Sequence, residues 1–142
     1  MRYQIASKQP NSRMCLVCGL KNEHGLKASF FETESKELIA LFRPSDEHQG
    51  YPGRLHGGMA AAIIDEAIGR AIQAGRQQQV WNVTVELKTR FKKPIPLGCE
   101  LRVIARITRE GSRFFEGEAQ LVLPDGQVAA TGEGKYVKLD LE

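Results

Sequence analysis

Two periodicities divide the chain. From Gly58 to Ala74 the apolar residues fall at helical spacing, and after Gln79 they recur at every second position. In the first stretch Met59 to Ile64 is apolar all round, which predicts a helix buried on every side. Ala67, Ile68, Ala71 and Ile72 carry one apolar face onward, and Gly75 supplies the stop. In the second stretch Val83, Val85, Leu87, Thr89 and Phe91 alternate with polar residues. Three more strands follow: Leu101 to Ile107 (less clean, because of Ile104), Phe115 to Leu123, and Val128 to Val137. Turn residues separate them at Pro94–Gly98, Glu110-Gly111 and Pro124-Asp125-Gly126. Upstream, Phe30 to Phe42 has strand character broken at Glu32–Lys36, which predicts a hairpin, and Pro44–Leu55 is a loop. Residues 1–14 are polar and aperiodic, and are expected to be a loose arm. One buried helix against a long antiparallel sheet is an α+β arrangement.

A length of 142 residues fits one domain, expected to span 1–142, and is enough for a core without staples. The longest apolar run, Met59–Ile64, is far short of the roughly 20 residues of a membrane span. The first ten residues hold no apolar stretch of the signal-peptide kind, and the three cysteines are an odd number. A reduced, cytoplasmic protein is expected. A net charge of +3, from 20 basic and 17 acidic residues, is too slight and dispersed for nucleic acid but suits an anionic small molecule. Apolar residues on the outer sheet face (Ile104, Phe114, Val122) and exposed strand edges predict a homo-oligomer.

The candidate chemistry lies around the helix start. His56-Gly57-Gly58 stands where the loop enters the helix, and the first amides of a helix have no internal partners and sit at the positive end of its dipole. Two glycines there either admit a ligand oxygen to the backbone or only permit a tight turn. Asp65 lies inside an apolar helix, where Ala61, Ala62, Ile68 and Gly69 are its neighbours at three and four residues, so no base on the helix pairs with it. It is either a functional carboxylate or one satisfied by a strand hydroxyl or a buried water. Glu66, by contrast, has Arg70 four residues on and reads as a surface ion pair. From Gly57 to Asp65 is roughly 12 Å at 1.5 Å per residue, too far for both to touch one carbonyl. The two either serve different purposes or meet across a dimer.

The motif G-Y-P-G-R-L-H-G-G-M-A-A-A-I-I-D-E-A, followed by V-T-V-E-L-K-T-R-F-K-K-P-I-P-L-G, resembles the hotdog-fold acyl-CoA thioesterases of the phenylacetate-pathway type. The upstream C-L-V-C-G-L-K-N-E-H-G-L resembles a segment ahead of the core in one branch of that family, so the likeness runs from about Cys15 to Val137. It implies a long helix wrapped by a curved antiparallel sheet, dimers or dimers of dimers, and sites shared between subunits. It also implies acyl-CoA as substrate and thioester hydrolysis without a cofactor. Carried over by position, Asp65 matches the catalytic carboxylate and Gly57 the oxyanion donor. His56 matches a support for substrate or loop, and Thr84 a hydroxyl that helps place the attacking water. Whether Asp65 acts as base or nucleophile stays open. Many relatives carry Asn or Gln where this chain has Gly50, and Gln49 beside it is a candidate substitute. Gly58, Arg54, Lys92 and Lys93 are candidates for holding substrate, the cations through the phosphates of coenzyme A.

The remaining features are weaker. Cys15 and Cys18 have C-x-x-C spacing, but His24 is the only nearby third ligand and Cys99 is distant, so a packed, reduced pair is expected and no metal site. His24 and His48 read as solvated loop histidines. Arg90, Arg106 and Arg109 could join the phosphate cluster or lie on a solvated face, and Trp81 and Tyr51 could line an acyl pocket or only pack. Two rival functions stand beside the hydrolase: a non-catalytic acyl-CoA-binding or sensing module, and a hotdog hydratase or dehydratase. The nine-residue spacing from His56 to Asp65 speaks against the second; the retained Asp65 weakens the first, and Gly50 keeps it open.

Overall fold

The computed structural model describes residues 2–140. In chain order it contains β1 (Ile5–Gln9), β2 (Ser29–Thr33), β3 (Leu38–Phe42), a 3-10 turn (Asp46–His48), α1 (Gly57–Ala71), β4 (Trp81–Phe91), β5 (Leu101–Glu110), β6 (Phe114–Val122) and β7 (Val128–Leu139). The strands form one curved sheet in the order β1-β2-β3-β5-β6-β7-β4, with every pairing antiparallel. β3 and β4 are neighbours in sequence, yet three strands separate them in the sheet. The helix joining them runs across that gap and packs on every strand from β3 to β7. The α+β reading and the hairpin at 29–42 both hold.

The core lies between α1 and the sheet. Ile63, Ile64, Ala67 and Ile68 are fully buried against Phe30, Leu101, Phe115 and Leu121. Each buried isoleucine contributes about 1.5–3 kcal/mol by leaving water. The close fit rests on two sheet glycines: a Cβ on Gly132 would stand 2.4 Å from Ile64 Cγ2, and one on Gly117 2.6 Å from Ile68 Cγ2. Any side chain at either position would push the helix off the sheet.

Three expectations are corrected. Residues 1–14 hold an edge strand, β1, paired with β2 where the pattern gave a loose arm, and Gln9 ties its end to the Arg70 carbonyl and to Glu32. Polar alternation on an outer strand leaves no hydrophobic period to detect. The helix ends at Ala71, three residues early; 72–74 continue as a turn with i→i+3 bonds before Gly75 at φ +77°. Nor is α1 buried on every side within one protomer, since Met59, Ala61, Ala62, Asp65 and Gly69 are only half-buried.

Strand β4 departs from strict alternation in a way that matters for chemistry. Its register against β7 shifts between Thr84 and Glu86, a bulge at Val85. Before the bulge the even positions face the helix: the Asn82 amide donates to the Gly69 carbonyl, and Thr84 meets Asp65. After it the odd positions do, with Leu87 against the core and Phe91 beside Gly57. Val83 and Val85 are left exposed.

Candidate active site

Asp65 sits on the half-buried stripe of α1, and its carboxylate is held by two hydroxyls. Thr84 Oγ1 donates to Asp65 Oδ1 at 2.8 Å, and Tyr136 Oη donates to the same oxygen at 2.9 Å, lying 3.1 Å from the Asp65 carbonyl as well. Among the described residues no hydrogen bond or cation reaches Oδ2. The carboxylate is thus fixed by one oxygen and free at the other. Tyr136 is buried and stacked on Phe115 with ring centroids 4.9 Å apart. Burial first, and then the Asp65 charge and hydrogen bond, push its hydroxyl well above the usual tyrosine range, so it remains a donor at any working pH.

The sequence reading missed Tyr136. A faint signal was there: the inward positions of β7 run Ala130, Gly132, Gly134, Tyr136, small residues and then one large one with a polar tip. Thr84 came from the resemblance, whereas simple alternation would have aimed Val83 and Val85 inward. The bulge is what delivers a hydroxyl.

At the N-terminal end of the helix, His56 is the N-cap. Its Nδ1 accepts the Gly58 N–H at 2.8 Å, which places the ring proton on Nε2. The Met59 and Ala60 amides donate to the His56 carbonyl. Among the described residues no acceptor meets the Gly57 N–H. Of the two glycines, Gly57 therefore offers a bare amide at the positive end of the dipole, and Gly58 has spent its own on the cap. A cavity of about 720 Å³ opens here, lined by Gly57, His56, Arg54, Lys92, Lys93 and Tyr51 among others.

Several candidates fall elsewhere. Gln49 forms an isolated bridge with Leu55 and does not line this cavity, whereas Gly50 does, with its Cα hydrogens turned to His56. Arg90 and Arg106 lie in a different, charged hollow on the sheet, where Arg106 pairs with Glu118, and Arg109 covers Phe114. Tyr51 lines the Gly57 cavity, and Trp81 lines the one beside Asp65. Of the two histidines expected to be solvated, His24 is exposed and pairs with Glu47, whereas His48 is buried at 5% exposure. His48 Nδ1 accepts the Ser45 N–H, Nε2 donates to the His24 carbonyl, and its own carbonyl accepts the His56 N–H. It pins the loop that presents the helix start.

Asp65 and Gly57 open into different spaces. The Asp65 cavity, about 630 Å³, is lined by Thr84, Tyr136, Trp81, Glu66 and the cysteine pair, and shares no lining residue with the Gly57 cavity. At its rim the Cys15 thiol donates to Glu66 Oε1 at 3.0 Å, and burial together with that bond pushes it up to about 11.

The family model for the thioesterase superfamily matches residues 52–130, which include Gly57, Asp65 and Thr84. The chain belongs to the thioesterase superfamily. Among curated members it is 38% identical over 115 residues to acyl-coenzyme A thioesterase THEM5 of Homo sapiens, covering 80% of this chain and 45% of that one. With acyl-coenzyme A thioesterase THEM4 of Xenopus laevis it shares 33% over 88 residues, 61% of this chain and 38% of the relative. The chain therefore spans less than half the length of these curated relatives. A crystal structure of a thioesterase superfamily protein superposes with a TM-score of 0.79 at 26% identity, covering 88% of this chain and 60% of the other. The E. coli PaaI protein from the phenylacetic acid degradation operon superposes at 0.72 with 16% identity and 81% of each chain covered, a likeness of fold. The hotdog fold expected from the motif is the fold of this superfamily member.

Proposed function

We propose that this chain hydrolyses acyl-CoA thioesters at sites that each take Asp65 from one protomer and Gly57 from a second. The observation that carries the reading is the division of the machinery: a carboxylate with one fixed and one free oxygen in one cavity, and a bare helix-end amide in another. THEM5 and THEM4 are acyl-coenzyme A thioesterases, and acyl-CoA is the substrate class taken from them.

Strand β4 supports the two-protomer arrangement. It is the last strand of the sheet, 11 residues long, and its free edge is flanked by exposed Trp81, Val83, Val85 and Phe91. Such an edge pairs readily with another chain. Thr84 marks the Asp65 end of β4 and Phe91 the Gly57 end. An antiparallel β4–β4 ladder centred between Leu87 and Lys88 sets each Thr84 opposite the other copy's Phe91, and so each Asp65 toward the other copy's Gly57. The half-buried stripe of α1 lies on the same side.

In this site the thioester carbonyl oxygen accepts the Gly57 N–H and gathers negative charge at the positive helix end. Asp65 Oδ2 takes a proton from water as the water oxygen attacks the carbonyl carbon; the C–S bond then breaks, and the thiolate of coenzyme A leaves and is protonated. Direct attack by Asp65 through an anhydride is the other route. Label found in the Asp65 carboxyl after a single turnover in oxygen-18 water identifies the anhydride route in which water opens the Asp65 carbonyl. Arg54, Lys92 and Lys93, exposed beside Gly57, meet the coenzyme phosphates. The three unpaired cysteines fit a reducing compartment, the cytoplasm.

Release of free thiol, followed with dithionitrobenzoate over short, long and aromatic acyl-CoAs, tests the reading. Turnover of at least one class is the expected result. Tight binding without thiol release would turn the protein into a binding or sensing module.

A further inference from the structure

The cysteine pair ahead of the hotdog core takes no part in the chemistry above, yet it is built with care. In C-L-V-C-G, residues 15–19, the Gly19 N–H donates to the Cys15 carbonyl at 2.8 Å and closes a tight turn. A Cβ on Gly19 would lie 2.5 Å from Cys15 backbone atoms, so only glycine fits. Inside the turn the Val17 N–H points at Cys15 Sγ, 3.4 Å away. Amides aimed at sulfur stabilise a thiolate in the way a metal-binding knuckle does.

The third group is one that the sequence reading had placed in a plain surface ion pair. Glu66 projects from α1, and its Oε1 lies 3.0 Å from Cys15 Sγ. The ligand atoms of Cys15, Cys18 and Glu66 all fall within 4.8 Å of one another. Around a tetrahedral zinc with bonds near 2.3 Å, donor atoms stand roughly 3.8 Å apart, so closing the set needs a shift of about 1 Å or less. His24, the third ligand the spacing suggested, is instead paired with Glu47.

Arg70 completes the surroundings. Its Nη2 donates to Cys18 Sγ at 3.0 Å and its Nε to Glu66 Oε2 at 3.0 Å, and its guanidinium lies over Phe30. It thus orients two of the three donors from behind, as outer partners of metal ligands do. Charge agrees: two thiolates and a carboxylate carry three negative charges, Arg70 returns one positive, and a divalent cation balances the rest.

We infer that Cys15, Cys18 and Glu66 form a three-donor site for a thiolate-seeking divalent cation of the zinc class, with its fourth position open to the Asp65 cavity. On binding, each thiol gives its proton to solvent and two metal–sulfur bonds and one metal–oxygen bond form; no electrons change hands. The cation fastens the knuckle to α1 one residue from Asp65, and so firms one wall of that cavity. The inference is independent of thioester hydrolysis.

The test uses the full chain, reduced and stripped with a chelator, then titrated with cobalt(II) and zinc(II). One equivalent per protomer is expected, with a thiolate-to-cobalt charge-transfer band that zinc abolishes. Cys15→Ser and Cys18→Ser each lose the band, Glu66→Gln weakens affinity by about tenfold or more, and Cys99→Ser titrates as the parent does. Zinc also slows alkylation of Cys15 and Cys18 in the unsubstituted protein, a readout that needs no variant to fold. No uptake by the parent, a band that survives Cys15→Ser, or alkylation unaffected by zinc would each overturn the site. Failure of thiol release with the cobalt band intact would leave the metal site standing and remove only the hydrolase.

Discussion

The middle and the N-terminal end of α1 solve opposite problems. At Asp65, midway along the helix, a charged side chain is installed among largely apolar neighbours, and the fold supplies two hydroxyls from different strands to hold it. At the Gly57 end no side chain is installed: the feature there is a backbone amide without an acceptor among the described residues, beside the Gly58 amide that His56 caps. The first region depends on tertiary packing, a bulge in β4 and Tyr136 near the end of strand β7. The second depends on local chain geometry and on a loop pinned by His48. Damage should therefore look different in the two regions, chemical in one and steric or electrostatic in the other.

The sharpest way to break the comparison is Asp65→Asn. It keeps the shape and an acceptor for both hydroxyls but removes the base, and turnover should fall by about 10³-fold with thermal stability little changed. Normal turnover would end the assignment. Gly57→Ala comes next. Its Cβ would meet only Phe91, at an ordinary 3.7 Å, so folding survives. Turnover should drop about 10²-fold because the carbonyl can no longer approach the amide, a loss read in kcat with the melting temperature as control. Tyr136→Phe and Thr84→Val each free Asp65 from one of its two holds. Each should cost roughly tenfold in kcat, and together more than the product of the singles, because the second removal lets the carboxylate swing.

Smaller effects sharpen the contrast from the electrostatic side. Replacing Lys92 and Lys93 by alanine should raise KM by a few-fold, leave kcat alone, and flatten the salt dependence of kcat/KM, since exposed charges are worth about 1 kcal/mol or less each. Smallest of all is Glu110→Gln, which lines neither the Asp65 nor the Gly57 cavity. Lys138 above all, with Arg76, holds the Glu110 carboxyl below the usual carboxylate range. A depressed folded value means that its stabilisation is present above the unfolded value of about 4.3 and is lost as pH falls through the folded one. The variant should melt slightly lower at neutral pH, and the gap should close in acid. A gap that widens in acid would reverse the sign and the assignment.

The fold was largely legible because period and punctuation repeat along the chain. A helix stripe stopped by glycine and alternating strands divided by Gly and Pro turns give an α+β layer whatever the register. Residues 5–9 escaped because an edge strand open to water has no apolar alternation to display. In the site, Asp65 stood out because nothing on its own helix could pair with it, and Gly57 because glycine at a helix entry is a local signal. Tyr136 is 71 positions from Asp65, and no local pattern joins them. The Glu66–Arg70 pair was legible from its spacing and is present, but it accounts for one oxygen while the other faces a cysteine 51 positions earlier, which no local pattern announces.

What the sequence determined alone is therefore what short-range rules can carry: the elements, their order, the lone carboxylate and the exposed amide. The tertiary structure decided which way each hydroxyl points. A one-residue bulge exchanges the two faces of a strand, so the slip at Val85, invisible in the alternation of β4, aims Thr84 rather than a valine at Asp65. Side-chain parity is set by pairing with a distant strand, and only the folded sheet fixes that pairing.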